Sequence, residues 1–216
     1  MAEAYVSLAQ SAESRLEIKK SIFIGNAVSV STQKDAEDFI ASIRKKHPDA
    51  RHCCFAYLIR NGGISRISDD GEPQGTAGLP MLEIIKKSGV CDVAVTVTRY
   101  FGGILLGASG LCRAYGAACA EAIRLGGAVE FTEYDLLECV CDYGDFPKIE
   151  YEIKKAGFPA AAPVFSDRVT ISFMCKCENT EKISRLICDI SSSRAKTVAV
   201  KKLFAPRDAE NMPAGY

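Results

Sequence analysis

Arg66-Ile67-Ser68-Asp69-Asp70-Gly71-Glu72-Pro73-Gln74-Gly75-Thr76-Ala77-Gly78 lies between a strand pattern and a helix pattern. Further along, Arg99-Tyr100-Phe101-Gly102-Gly103 opens a second glycine cluster that runs through Gly107 to Gly110. Glycine permits left-handed backbone and close approach of neighbouring chain, and loops that also carry charge are frequent seats of function. Between the two loops, Met81, Ile84 and Ile85 mark a helix with Pro80 in its first turn and Gly89 at its end. Cys91, Val93, Val95 and Val97 then alternate with Asp92, Ala94, Thr96 and Thr98, the pattern of a half-buried strand. That strand delivers Arg99 to the second loop.

Upstream, Lys20 to Val30 reads as a strand. Ser31 or Thr32 caps a helix carrying Ala36, Phe39, Ile40 and Ile43, which must end near His47-Pro48 because a residue before proline avoids helical backbone. Arg51 to Arg60 is a strand with Phe55, Tyr57 and Ile59 on one side and His52, Cys54 and Leu58 on the other. Asn61-Gly62 is a hairpin signal, and Ile64 to Ser68 returns. Residues before Leu16 read as a leader or edge segment. Downstream, Ser109 is the expected cap of a helix bearing Leu111, Tyr115, Ala118, Ala122 and Ile123, stopped by Gly126-Gly127. This order predicts an α+β domain over residues 1–128, with helices on one face of a mostly antiparallel sheet.

A second pattern follows. Strands are expected at Tyr134 to Cys141, within Gly157 to Val164, at Arg168 to Cys177 and at Ala195 to Leu203. Helices are expected around Phe146, Ile149, Ile153 and Ala156, and over Thr180 to Ile190. This βαββαβ order over residues 129–205 is ferredoxin-like. Residues 206–216 form an expected frayed tail.

Composition narrows the function. The 216 residues carry 27 Lys and Arg against 27 Asp and Glu, so no global charge drives the chain onto nucleic acid, although a local basic patch stays open. No signal peptide or membrane-spanning run is read, and a cytoplasmic protein without a membrane partner is expected. Ten cysteines scattered among apolar residues fit buried free thiols in a reducing compartment. Cys139 with Cys141 and Cys175 with Cys177 could hold a structural metal if their strands paired. The second pair, however, continues the apolar face of Val169, Ile171 and Phe173, which favours core packing.

Three clusters carry candidate chemistry. Asp69, Asp70 and Glu72 could bind a hard cation such as Mg²⁺ or work as an acid–base pair, or could simply bridge to Arg66 and Arg99. Gly75-Thr76-Ala77-Gly78 precedes a helix and offers backbone donors to an anion, with Thr76 adding a hydroxyl. No Lys-Ser/Thr follows, so it is not a P-loop. Arg99 could grip phosphate or carboxylate, with Tyr100 and Phe101 stacking on an unpaired base and Arg113 joining the same surface. The competing arrangement buries Phe101 and Tyr115 and binds Arg99 to Asp69 or Asp70. His52 precedes Cys53 and Cys54, but only Cys54 shares its side of the strand, so a local Cys–His nucleophile would be His52 with Cys54.

These motifs together resemble the Impact/YigZ family. Asp69-Asp70-Gly71-Glu72-Pro73, Gly75-Thr76-Ala77-Gly78, and Arg99-Tyr100-Phe101-Gly102-Gly103 with Leu106-Gly107 look like its signatures. Lys20-Ser21, Phe23, His52 and Arg113-Ala114-Tyr115 fit the flanking pattern, so the resemblance covers roughly residues 16 to 126. It implies a first domain like domain IV of elongation factor G, of the ribosomal protein S5 domain 2-like fold, and a ferredoxin-like second domain. Eukaryotic relatives act in translational control through a protein partner, using a further domain, and that pathway is not expected to transfer. Members usually carry lysine where this chain has Leu105, glycine at Ser109 and asparagine at Cys53.

The leading expectation is a translation-associated or stress-associated regulatory protein that binds RNA or a ribosomal surface. His52, Arg66, Gly75, Thr76, Gly78, Arg99, Tyr100 and Arg113 would contact it, with Asp69, Asp70, Gly71, Glu72, Phe101, Gly102, Gly103 and Gly107 shaping the loops. One alternative is a metal-assisted hydrolase of a phosphate ester or peptide-like substrate, using Mg²⁺ on Asp69, Asp70 and Glu72. Another is a protein-interaction module whose loops form a rigid epitope for a protein partner. The leading reading requires the two loops to close on one exposed pocket, acid on one wall and guanidinium on another.

Overall fold

The computed structural model describes residues 4–212. The chain separates into two compact units, Tyr5–Val129 and the residues from Glu130 onward. The first unit contains β1 (Tyr5–Leu8), β2 (Ala12–Ile18), β3 (Ser21–Ser29), α1 (Gln33–Lys46), β4 (His52–Ile59), β5 (Ile64–Ser68), α2 (Gly78–Lys87), β6 (Val93–Tyr100) and α3 (Ala108–Gly126). A five-stranded sheet runs β2-β3-β6-β4-β5, with antiparallel ladders between neighbours.

Local signals set the element ends. Thr32 accepts from the Asp35 amide at 3.1 Å while the Asp35 carboxylate accepts from the Thr32 amide at 2.9 Å, a reciprocal cap that starts α1. Arg44, Lys45 and Lys46 sit where the helix dipole favours positive charge. Asn61, Gly62 and Gly63 turn β4 into β5. The segment before Leu16 supplies β1 and most of β2, and β2 is an edge strand.

Both faces of the sheet are covered, which corrects the expectation of helices on one face. Phe23, Cys54, Ala56, Val95 and Val97 pack on Met81 and Ile85 of α2 and on Tyr115, Ala118 and Ala122 of α3. On the other face Tyr57, Ile59 and Ala94 pack on Ala36 and Ile40 of α1. Strand β6 is therefore buried along both sides from Val93 to Arg99, not half-buried. The alternation of valine with threonine and alanine reads as amphipathic only because α1 asks for small side chains. The cap of α3 is Gly107, with a left-handed φ of 70°, in place of Ser109, which lies inside the first turn.

The second unit contains β7 (Ala128–Cys141), α4 (Phe146–Lys155), β8 (Val164–Phe165), β9 (Val169–Lys176), α5 (Thr180–Ile190) and β10 (Lys196–Pro206). Its strands run β10-β7-β9-β8, antiparallel at each of these contacts. Cys139, Cys141 and Cys175 lie in its core beside Ile149, Ile153, Ile183 and Ile187 of the two helices. The expected strand within Gly157 to Val164 is reduced to β8 and a single bridge between Ala160 and Phe173. Beyond Pro206, the stretch expected to fray is packed, with Ala209 and Met212 on Tyr134 and Met174. Residues 213–216 of that expected tail lie outside the described residues.

Gly25 fixes how closely α3 lies on the first sheet. A Cβ there would sit 2.6 Å from the Ala118 carbonyl oxygen, to which the Ser14 hydroxyl donates at 3.0 Å. We expect Gly25→Ala to cost about 2–3 kcal/mol through forced separation of helix and sheet. Gly116→Ala, with its nearest atom at 3.7 Å, should be neutral or stabilising by up to ~1 kcal/mol through helix propensity. Urea unfolding followed by far-ultraviolet circular dichroism checks both.

Candidate functional site

The first glycine loop folds around three carboxylates, each held by different partners. Asp69 turns back onto the start of α2. It accepts from the amides of Gly75 at 2.8 Å, Ala77 at 2.9 Å and Gly78 at 2.9 Å. Ala77 gives that helix no side-chain cap, so Asp69 supplies one from a distance. The backbone donors expected to hold an external anion thus already hold an internal one. Thr76 is buried and donates its hydroxyl to the Pro73 carbonyl at 2.6 Å. Burial pushes the Asp69 carboxyl up, but the three amide bonds outweigh it and leave it below its ordinary value.

Asp70 adopts a left-handed φ of 42°. Its carboxylate accepts from the Cys53 amide at 2.7 Å and pairs with Arg44 of α1 at 2.8 Å. Its carbonyl accepts from His52 Nδ1 at 2.8 Å, which places a proton on Nδ1. Gly71 passes against that ring, and a Cβ there would meet Nδ1 at 3.3 Å.

Glu72 joins the two loops. Its Oε1 accepts from Arg99 Nη1 at 2.7 Å and from the Tyr115 hydroxyl at 2.8 Å. Arg99 is 6% exposed and Glu72 8%. The guanidinium carbon lies 5.5 Å from the Phe23 ring centre and 5.4 Å from that of Phe101. The expected open pocket is therefore replaced by a closed ion pair. Arg99 meets Glu72 instead of phosphate, so the acidic loop bridges to Arg99 as the alternative reading had it, through Glu72 and not through Asp69 or Asp70.

The other expected contacts divide. Tyr100 points to the opposite face from Arg99, because neighbours on a strand alternate, and its hydroxyl meets His47 Nδ1 at 3.0 Å. Phe101 is not core but 52% exposed. Arg66 is exposed on edge strand β5 and donates to its neighbour Ser65 at 3.2 Å. Arg113 is exposed on α3 and forms no ion pair among the described residues. The second glycine loop presses onto the β2–β3 turn. A Cβ on Gly102 would fall 2.0 Å from the Lys20 carbonyl carbon, and the Gly102 amide donates to Ser21 Oγ at 3.1 Å. Gly103 and Gly107 turn the loop through left-handed backbone, at φ of 81° and 70°.

That contact brings the β2–β3 turn, absent from the expected contact residues, beside the second glycine loop. Lys19 and Lys20 form the β2–β3 turn with φ of 48° and 64°, both left-handed. Both are exposed and without an ion pair among the described residues. Lys19 and Arg113 line one cavity of about 300 Å³ with Ile18, Leu106, Ala114 and Ala117. A two-residue gap between strand patterns signals such a turn, but the usual Asn-Gly or Gly-Gly cue is missing.

The three acids diverge, and among the described residues no group of three His, Cys, Asp or Glu side chains could hold a metal ion. The Asp69, Asp70 and Glu72 metal reading loses its site for that reason, and with it the hydrolase built on it. Burial pushes the Cys54 thiol up to about 12, and its Sγ donates to the Asp69 carbonyl at 2.9 Å, so a His52–Cys54 nucleophile is not set up. Burial, then Cys54 and Glu72, likewise hold the Tyr115 hydroxyl protonated.

The loops and their partners fall inside a known domain. The Impact N-terminal domain model matches residues 19–123, and a domain of unknown function (DUF1949) matches residues 139–194. The chain is 37% identical over 196 residues to the IMPACT family member YvyE of Bacillus subtilis, covering 90% of each. It is 43% identical over 140 residues to the IMPACT family member YigZ of Escherichia coli, covering 62% of this chain and 67% of that one. A solved structure described as a hypothetical protein matches with a TM-score of 0.62 at 31% identity, over 93% of this chain and 99% of that one. The chain belongs to the IMPACT family. No helix among the described residues is long and apolar enough to cross a membrane.

Arg99→Ala should destabilise the first unit by about 3–5 kcal/mol, because it leaves a buried carboxylate without its cation. Replacing the pair together, as Glu72→Leu with Arg99→Met, should recover a substantial part of that loss. The depressed Asp69 carboxyl contributes stability that is present above its unfolded value near pH ~3.9 and is lost as pH falls through its lower folded value. Asp69→Asn should therefore weaken the fold at neutral pH and shrink the loss on acidification, read from urea midpoints across pH 2–7.

Proposed function

We propose that this protein is a translation-associated or stress-associated regulatory binding protein, and that its target is RNA or an RNA-bearing ribosomal surface. Membership of the IMPACT family supports the regulatory role. We further propose that the first unit has the elongation factor G domain IV and ribosomal protein S5 domain 2-like fold. The β10-β7-β9-β8 order supports a ferredoxin-like second unit. No bond is broken at the site; its loops are frameworks for a surface.

One observation carries the reading. Lys19, Lys20 and Arg113 stand exposed around the second glycine loop, without an ion pair among the described residues, and the same loop carries the half-exposed Phe101. Left-handed backbone at a non-glycine residue is unfavourable by about 1 kcal/mol. Asn-Gly would adopt this turn at little cost, so two consecutive lysines in it point to a use for their charges. Cations with a neighbouring aromatic are the equipment of a nucleic-acid surface. The internally paired Arg99 and Asp69 hold that surface in shape, so contact moves outward from Arg99, Gly75 and Gly78 to the lysine turn and Arg113.

A protein-interaction reading has its own observation. Leu105 is 82% exposed in the same loop, and Ile104 beside it is also exposed.

Fluorescence anisotropy with labelled RNA separates the two. On the nucleic-acid reading, affinity falls steeply with salt, and Lys19→Ala with Lys20→Ala and Arg113→Ala lowers both affinity and the salt slope, by about 0.7–0.9 per lost phosphate contact. Leu105→Ser should leave that affinity within about twofold on this reading. Absence of salt-dependent binding in the wild-type chain rejects it.

A further inference from the structure

Arg113 lies between two hollows on the outer face of the first unit. One, of about 530 Å³, opens between α2 and α3 and is walled by Leu79, Pro80, Ile84, Gly116 and Ala120. The other is the cavity of about 300 Å³ walled by Ile18, Leu106 and Ala114, with Lys19 at its rim. Arg113 and Ala117, one turn apart on α3, line both. The surface thus reads apolar hollow, guanidinium, apolar hollow.

The charge around it has one sign where it is free. Glu83 is the one acid lining either hollow, and it faces Lys87 at 4.0 Å on its own helix. Arg113 and Lys19 have no acidic partner among the described residues. Apart from Arg113, Lys19 and Glu83, both hollows are walled mainly by aliphatic side chains, which favour an apolar face over an ion.

The geometry points to single-stranded RNA as the ligand of this face, with successive bases entering the two hollows and the phosphate between them resting on Arg113. This deepens the nucleic-acid reading above and rests on it. A duplex keeps its bases paired and stacked inside and presents mainly backbone and groove edges to a protein. It could therefore use Arg113 and Lys19 but not the hollows. A single strand offers the alternation of base and phosphate that the surface repeats. Lys19, which lines the smaller hollow, would take the next phosphate along.

The test uses the full chain with two labelled probes of equal length, a single-stranded oligouridylate and a fully paired RNA duplex, read by anisotropy at one salt concentration. The single strand should bind about tenfold tighter, in keeping with removal of one to two base faces from water against apolar walls. Ala117→Leu, at an exposed position between the hollows, should erase that preference and leave duplex affinity unchanged. Ala120→Leu, which fills the larger hollow alone, should lower it in part and guards against misfolding of the first variant. Arg113→Ala should weaken both probes. Equal or tighter duplex binding, or unchanged single-strand affinity in both leucine variants, overturns the inference while leaving the nucleic-acid reading standing. Absence of binding to either probe overturns both.

Discussion

The contact of Glu72 with Arg99 and Tyr115 holds the first unit's apex together. One carboxylate oxygen collects a guanidinium from the end of the central strand and a hydroxyl from the helix that covers it, 2.7 and 2.8 Å away. Charges taken out of water are costly, and mutual attraction repays the cost only when the remaining donors and acceptors are matched. Here the match is partial: the Tyr115 hydroxyl supplies the second donor to the carboxylate and Phe23 and Phe101 flank the guanidinium, while the buried Arg99 Nε has no hydrogen-bond partner among the described residues. Loop, strand and helix are thereby fixed at a single point.

The other two acids do related work on a smaller scale. Asp69 gives α2 the cap that Ala77 cannot, and Asp70 ties the loop to β4 through the Cys53 amide and to α1 through Arg44. Three acids in four positions look like a cation site when only their types are known. Their directions differ because Asp70 is left-handed at φ 42° and Gly71 at φ 84°, so consecutive side chains leave the loop toward different elements. An acidic cluster in sequence has become three separate fasteners in space.

Most strands and helices and the cap of α1 are legible because their signals are local: the Thr32–Asp35 cap, the Asn61-Gly62 turn and the valine alternation of β6 each involve near neighbours. The meeting of the two glycine loops was also foreseen, through the opposed charges of the first and Arg99. Whether that meeting lay open or buried was not legible, since it depends on Tyr115 and Phe23 arriving from other elements. Burial of both faces of β6 was hidden for the same reason. Threonine and alanine at Thr96, Thr98 and Ala94 suit a solvent face and a small-residue packing face equally well. The exposure of Lys19 and Lys20 went unweighted because lysine is an unusual occupant of a left-handed turn.

The Gly102 contact has a consequence for how the chain tolerates change. Its α-carbon rests on the Lys20 peptide with no room for a methyl group, while a Cβ on neighbouring Gly103 would meet nothing within 4 Å. The lysine turn and the second loop are therefore shaped as one mould and its cast. Insertions in the β2–β3 turn would lift the Phe101 end of the loop as well. Length at that turn is consequently as tightly fixed as at any position of the core, although both lysines stand in water.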